Sequence, residues 1–309
     1  MGFRIVFAGT PEFAVPTLQA LLQAHDVVGV LTQPDRPKGR GQTQQPTPIA
    51  RYARGSGLTP LMPISLNDPD AWAAVRALKP DFIVVAAYGL LFPETWFRLP
   101  TQCILNVHPS LLPRWRGASP IEYCLIQGDS ETGISIQVLV KRLDAGPVLR
   151  QIVTVVDHHE TKSSLETRLA ALGAETLLGV LSEWNHLEPI PQDEGRATYA
   201  PKINRSDTRI HWTLSATVIE RQVRALQEQP GAWTCLHDRR VKIFDACALP
   251  TFNLAIPGTG GLDGASGILK IATGYGTLAI DRLQSEGSRP LAAGDWIRGM
   301  HGISRIRFD

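Results

Sequence analysis

The sequence predicts an α/β protein: a Rossmann-like, doubly wound, mostly parallel sheet followed by a smaller antiparallel β-barrel domain. Three observations carry that reading. Apolar runs of strand length alternate with stretches of helical periodicity through the first 185 residues, the rhythm of successive βα units. Those runs are nearly continuously apolar, as strands covered by helices on both faces must be. In the last third the pattern changes to polar–apolar alternation broken by turns, which suits a half-exposed antiparallel sheet.

RIVFA (Arg4–Ala8), DVVGVLT (Asp26–Thr32), DFIVVAAY (Asp81–Tyr88), CILNVH (Cys103–His108) and GISIQVLV (Gly133–Val140) are the expected strands. Between them VPTLQALLQA (Val15–Ala24) and PDAWAAVRALK (Pro69–Lys79) repeat apolar residues at helical spacing. The longest helical pattern runs from Ser163 to Trp184, with a break expected at Gly173. Residues 187–206, polar and proline-bearing, read as an interdomain linker. A helix over Ala216–Leu226 opens the second domain, and the alternating segments AWTCLHDRRVKIFDACAL and GILKIATGYGTLAIDRL build its sheet. The expected division is therefore residues 1–186, a linker over 187–206, and a C-terminal domain over 207–309.

With 43% hydrophobic and 19% charged residues, the 309-residue chain has the composition of a soluble globular protein. Its net charge of +2 is compatible with an RNA partner without demanding one. Cys103, Cys124, Cys235 and Cys247 lack CxxC or Cys/His ligand spacing, so reduced thiols and a cytoplasmic location are expected. The apolar run at the N-terminus stops at Gly9, too short for a secretory signal, and no later stretch approaches a membrane span. DHHE (Asp157–Glu160) is the densest ligand-like cluster, but it lies in a turn without a facing partner, so no metal is expected. No GxSxG elbow supplies a nucleophile, and neither Cys103 nor Cys124 has an activating context. FAGTPEFA lacks the GxGxxG turn that a dehydrogenase would show.

The chemistry concentrates where CILNVH meets Pro109. Side chains two residues apart on a strand point to one side, so Asn106 and His108 can reach one substrate atom together. In an open α/β sheet this is also where ligands bind, beyond the C-terminal ends of the strands. A neutral amide donates, and an imidazole serves as acid, base or oxyanion donor. GISIQVLVKRLDAGPVL leaves another strand and presents Asp144 in a turn. Alone, either stretch is compatible with ordinary turn chemistry. Adjacent strand ends could bring all three residues into one crevice, a set suited to direct attack on a carbonyl with donors on the developing oxyanion.

NVHPSLLPRWRGASPI followed by LDAGPVL resembles the folate-dependent formyltransferases, which move a formyl group from 10-formyltetrahydrofolate to an amine. RIVFAGTPEFAVPTLQALL, TQPDRPKGRGQTQQPTPI and APKINRSDTRIHWTLSA are similar to the opening, the basic insertion and the C-terminal-domain entry of the methionyl-tRNA branch of that family. The likeness spans essentially the whole chain. It implies catalytic roles for Asn106, His108 and Asp144, and tetrahydrofolate contacts from Ser110, Leu111, Leu112 and Pro113. It also implies a pterin pocket bordered by Tyr88, Gly89, Leu90 and Leu91, an OB-like C-terminal barrel, and a monomer. The co-substrate it implies is 10-formyltetrahydrofolate without a metal, and the acceptor is initiator methionyl-tRNA, for translation initiation.

Within the basic insertion, Arg36, Lys38 and Arg40 are the expected tRNA contacts, since cations supply affinity for phosphates. Gln42, Thr43, Gln44 and Gln45 stand where the family often has lysines, so Arg239, Arg240 and Lys242, or Arg298, Arg305 and Arg307, could compensate. Two rival readings stay open at this level. One keeps the chemistry and changes the acceptor to an amino-sugar nucleotide; the other is a non-catalytic RNA-binding module.

Overall fold

The computed structural model describes residues 2–38, 43–227, 229–251, 255–300 and 305–309. In chain order the first part contains β1 (Arg4–Gly9), α1 (Val15–Ala24), β2 (Asp26–Leu31), β3 (Arg36–Lys38), β4 (Thr43–Gln45), α2 (Pro48–Gly55), α3 (Pro69–Ala77) and β5 (Phe82–Ala86). It continues with β6 (Cys103–His108), α4 (Pro120–Gln127), β7 (Glu131–Val138), β8 (Val148–Val155) and α5 (Lys162–Ser182).

Six strands form the main sheet in the order β2-β1-β5-β6-β7-β8. The first four are mutually parallel. β7 is antiparallel to β6, and β8 is antiparallel to β7; the second pair follows from the loop of residues 139–147, a hairpin-length return where a parallel return would need a crossover. β1, β5 and β6 are buried almost throughout, which explains their unbroken apolar runs. On one face Val6, Ala8, Leu31, Val75, Ile83, Val85 and Trp96 share a core cluster. Helix starts follow side-chain chemistry. Thr47 accepts from the Ala50 amide ahead of α2, Asp68 accepts from the Asp70 amide ahead of α3, and each helix begins on a proline.

Several boundaries differ from expectation. β5 stops at Ala86 because Ala87 turns into the left-handed region at φ 46°. β8 escaped the sequence reading: it is an edge strand whose middle is exposed, so it lacks the continuous apolar run of a central strand. α5 runs unbroken through Gly173. That glycine serves close packing instead, since a Cβ there would lie 2.7 Å from Val107 Cγ1 on β6. Gly173→Val is accordingly expected to destabilise the protein by about 1–3 kcal/mol, read as a lower urea midpoint at unchanged slope.

The chain divides into two compact units, and the division falls elsewhere than expected. The first comprises Met1–Pro120, Glu131–Val155 and Glu166–Ala200; the second comprises Ile121–Ser130, Val156–Leu165 and Pro201–Asp309. The first fourteen residues of the expected linker, 187–200, thus belong to the first unit. They are bonded into it rather than strung between domains: Ile190 exchanges backbone hydrogen bonds with Val148, Ala200 N donates to Arg116 O, and Arg116 N donates to Thr198 O.

The second unit contains α6 (Ala216–Ala225), β9 (Ala232–Leu236), β10 (Arg239–Leu249), β11 (Thr259–Leu262), β12 (Leu269–Ala272), β13 (Thr277–Ser285), β14 (Leu291–Ala292), α7 (Ala293–Arg298) and β15 (Ile306–Arg307). Its sheet is antiparallel throughout, in the order β15-β11-β12-β13-β10-β9 with β14 beside β13. The sheet curls into a half-barrel, and beyond β15 the Asp309 amide donates to Cys235 O on β9. Inside it, Trp212 stacks on Phe308 among Ile219, Val223, Ile243, Leu278 and Trp296.

Candidate active site

The site is built by register. β6 lies between β5 and β7, with Asn106 opposite Val85 on one side and Gln137 on the other, and with His108 opposite Ser135. Asn106 and His108 project to one side of the strand. Asp144 arrives from the loop between β7 and β8, held in the left-handed region at φ 48°. The glycine two residues on makes that loop possible, because a Cβ on Gly146 would lie 1.7 Å from Val138 O.

The three side chains meet. Asp144 Oδ1 accepts from Gln137 Nε2 at 3.0 Å and from Asn106 Nδ2 at 3.4 Å. Its Oδ2 accepts from the Gly117 amide at 2.8 Å and lies 3.8 Å from His108 Nδ1. All three are buried, with exposures of 9% for Asn106, 4% for His108 and 6% for Asp144. A buried carboxylate is costly unless its oxygens are bonded, and here each oxygen is. His108 Nε2 lies 2.9 Å from Trp115 O. A carbonyl only accepts, so this nitrogen carries a hydrogen, and Nδ1 is left facing the carboxylate. The arrangement presents an amide donor, an imidazole nitrogen and an anion to one spot.

The turn after β6 is fixed through its main chain. Leu112 N donates to Ser135 Oγ at 3.0 Å, Ser135 Oγ donates to Ser110 O at 2.6 Å, and Gln151 Nε2 donates to Leu112 O at 2.7 Å. Ser110 and Leu112 are buried, while Leu111 and Pro113 are half-buried. In the loop after β5, Tyr88 O accepts from Thr10 Oγ1 and Gln33 Nε2. The Tyr88 ring is buried, its hydroxyl has no hydrogen-bond partner among the described residues, and burial pushes its pKa well above the usual phenol range. Gly89 has φ 83° and is exposed, Leu90 is half-buried, and Leu91 is 79% exposed.

Of the expected tRNA contacts, Arg36 and Lys38 bound strand β3, which pairs antiparallel with β4. Arg36 Nη2 donates to Gln33 Oε1 at 2.6 Å. Arg40 lies outside the described residues. In the second unit Arg209 and Arg240 lie over the Trp233 ring, at 5.6 Å and 4.3 Å from its centroid. Arg298 pairs with Asp295 one turn away.

Sequence reasoning missed Gln137 and Gly117. The available signal for Gln137 was a polar residue inside the otherwise apolar ISIQVLV, two positions from Ser135 on the same side. Gly117 acts through its amide, which no side-chain motif announces.

Two comparisons bear on identity. The chain matches the formyl transferase family over residues 3–181 and the formyl transferase, C-terminal domain family over residues 202–301. It is 43% identical over 296 residues to a methionyl-tRNA formyltransferase of Cereibacter sphaeroides, covering 96% of each chain. The chain belongs to the methionyl-tRNA formyltransferases. A second methionyl-tRNA formyltransferase, from Xanthomonas campestris, is 41% identical over 307 residues, spanning 98% of this chain and 100% of that protein. The fold extends beyond the methionyl-tRNA formyltransferases. HypX from Aquifex aeolicus in complex with tetrahydrofolic acid has a TM-score of 0.67 at 18% identity, covering 98% of this chain and 48% of its own. An N-formyltransferase from Helicobacter canadensis also scores 0.67, at 16% identity, over 92% of this chain and 99% of its own. At such low identity these two likenesses concern fold alone. Among the described residues no helix of the chain is long and apolar enough to cross a membrane. Among those same residues no group of three or more His, Cys, Asp or Glu is placed to hold a metal ion.

Proposed function

We propose that the chain transfers the formyl group of 10-formyltetrahydrofolate to the α-amine of initiator methionyl-tRNA, with Asn106, His108 and Asp144 acting at the reacting atoms. The observation that carries this reading is the buried Asp144 carboxylate bonded to Asn106 and set 3.8 Å from His108 Nδ1. The donor set fits an acyl transfer. Asn106 Nδ2 commits one hydrogen to Asp144 and has a second for a carbonyl oxygen. The exposed Leu91, beside half-buried Leu90, supplies in the first unit an apolar surface suited to a pterin-bearing ligand. Ser110, Leu111, Leu112 and Pro113 would line the approach to His108.

The folate donor supplies an electrophilic formyl carbon when bound. Asn106 and a protonated His108 donate to the oxygen that gains negative charge as the amine attacks, and such preorganised donors act most strongly where water is excluded. Asp144 is the counter-charge for the imidazolium; it accepts the proton that the amine loses and passes it to the folate N10 as the bond between the formyl carbon and N10 breaks and tetrahydrofolate leaves. An α-amine has a pKa near 8, so roughly a tenth of it is already neutral near pH 7; that fraction attacks, and a carboxylate suffices to accept the proton that the amine sheds as it adds to the formyl carbon. Arg36, Lys38 and Arg40 would meet tRNA phosphates, and Arg239, Arg240 and Lys242 would add to them.

An amino-sugar nucleotide acceptor draws only on the shared fold with the Helicobacter canadensis enzyme, whereas identity above 40% over nearly the whole chain favours tRNA. The test gives the purified protein 10-formyltetrahydrofolate with either charged initiator tRNA or a nucleotide-linked amino sugar. Formyl-methionine on the tRNA alone supports the reading; formyl transfer to the sugar alone overturns it.

A further inference from the structure

Gln192 lies in the stretch that sequence reading left as linker, yet its amide joins both halves of the site. Its Nε2 donates to Asp144 O at 2.9 Å and to Gly146 O at 2.7 Å. Its Oε1 accepts from Arg116 Nε at 3.0 Å and Nη2 at 2.8 Å. Arg116 is buried to 1% exposure and also forms a bidentate pair with Glu194, at 2.9 and 3.1 Å. Glu194 in turn accepts from Arg142, two residues before Asp144. Residues 192–194 therefore grip the Asp144 loop through main-chain carbonyls and through Arg142, and anchor it to the residue preceding Gly117. Gly117 is the residue whose amide holds Asp144 Oδ2.

We propose that Gln192 is a positioning residue for formyl transfer, holding the Asp144 carboxylate against Gly117 and His108 through the Arg116–Gln192–Asp144 main-chain link. The assignment rests on the function proposed above. The physical argument is one of reach and aim. A left-handed aspartate in a loop stays in place only when its surroundings over-determine it, and Gln192 contributes two of the bonds that do so. A misplacement of about 1 Å at a reacting group costs as much as 10²-fold in rate. An amide suits this post because it donates to two carbonyls while accepting from a guanidinium; neither a carboxylate nor an apolar side chain does both.

The test is a double-mutant cycle in the full-length protein with 10-formyltetrahydrofolate and charged initiator tRNA. Gln192→Leu is expected to lower kcat about 10- to 100-fold with KM for both substrates nearly unchanged. In an Asp144→Ala background the same change is expected to lower kcat less than about twofold, because the carboxylate it aims is gone. Gln192→Glu keeps the acceptor for Arg116, loses the donor and should repeat the loss, so it carries the test if the leucine variant does not fold. An equal fold-loss in both backgrounds, a loss expressed only in KM, or unchanged kcat in the wild-type background overturns the assignment. Wild-type protein that fails to formylate the tRNA overturns the underlying function instead, so the two failures are distinguishable.

Discussion

His108→Ala should lower kcat for formyl transfer by on the order of 10²–10³, the loss associated with removing one oxyanion donor. The imidazole is held on two sides, by Trp115 O at Nε2 and by the Asp144 carboxylate near Nδ1. With Nε2 committed to a carbonyl, Nδ1 is the nitrogen that can present a proton to the substrate oxygen. Alanine removes that donor and the imidazole's hydrogen bond to Trp115 O, a stability cost of about 0.5–1.5 kcal/mol. The strand itself remains anchored, because β6 pairs on both edges through its backbone. Steady-state kinetics with charged tRNA, alongside a urea midpoint, separate the two effects. Turnover within a few-fold of wild type at retained fold would remove His108 from the reacting centre.

Asp144→Asn should cost kcat on the order of 10²–10⁴, the range for a positioned acid or base. The substitution preserves shape and removes charge. Gly117 N and Gln137 Nε2 both donate to the carboxylate, from opposite sides. An asparagine amide therefore sets its own N–H against one of them. The imidazolium also loses its counter-charge, and the amine proton loses its acceptor. Since Asp144 does not bind the remote parts of either substrate in this account, the loss should appear in kcat rather than in KM. A KM effect with kcat preserved would reassign Asp144 to binding.

Much of this site was legible before any coordinates. Asn106 and His108 announced themselves because a strand's two-residue period puts them on one side, and the apolar run before them marked the strand end. The parallel strands were equally plain, since burial on both faces demands unbroken apolar runs. Asp144 was a candidate from its place after a strand end, but a turn aspartate carries no periodic signal, and the LDAGPVL likeness was what gave it a role. What escaped has a physical cause in each case. β8 is a half-exposed edge strand. Gly173 sits in α5 for close approach to Val107, which looks like a helix break in one dimension. Gln192 and Gly117 act through carbonyls and an amide, and backbone partners leave no mark on residue type. The stretch 187–200 was polar and proline-bearing like a connector, but its polarity is used in hydrogen bonds within the first unit.

The central claim is that Asn106, His108 and Asp144 act as one unit on an amine attacking the formyl carbon directly. Its most direct test is single-turnover formyl transfer from 10-formyltetrahydrofolate to charged initiator tRNA by Asn106→Ala, His108→Ala and the double variant. Residues that act together lose activity non-additively. The double variant is therefore expected to be little slower than the worse single variant, about 10²–10³ below wild type. A double variant that retains transfer within about tenfold of wild type would contradict the account, as would single losses that multiply in full.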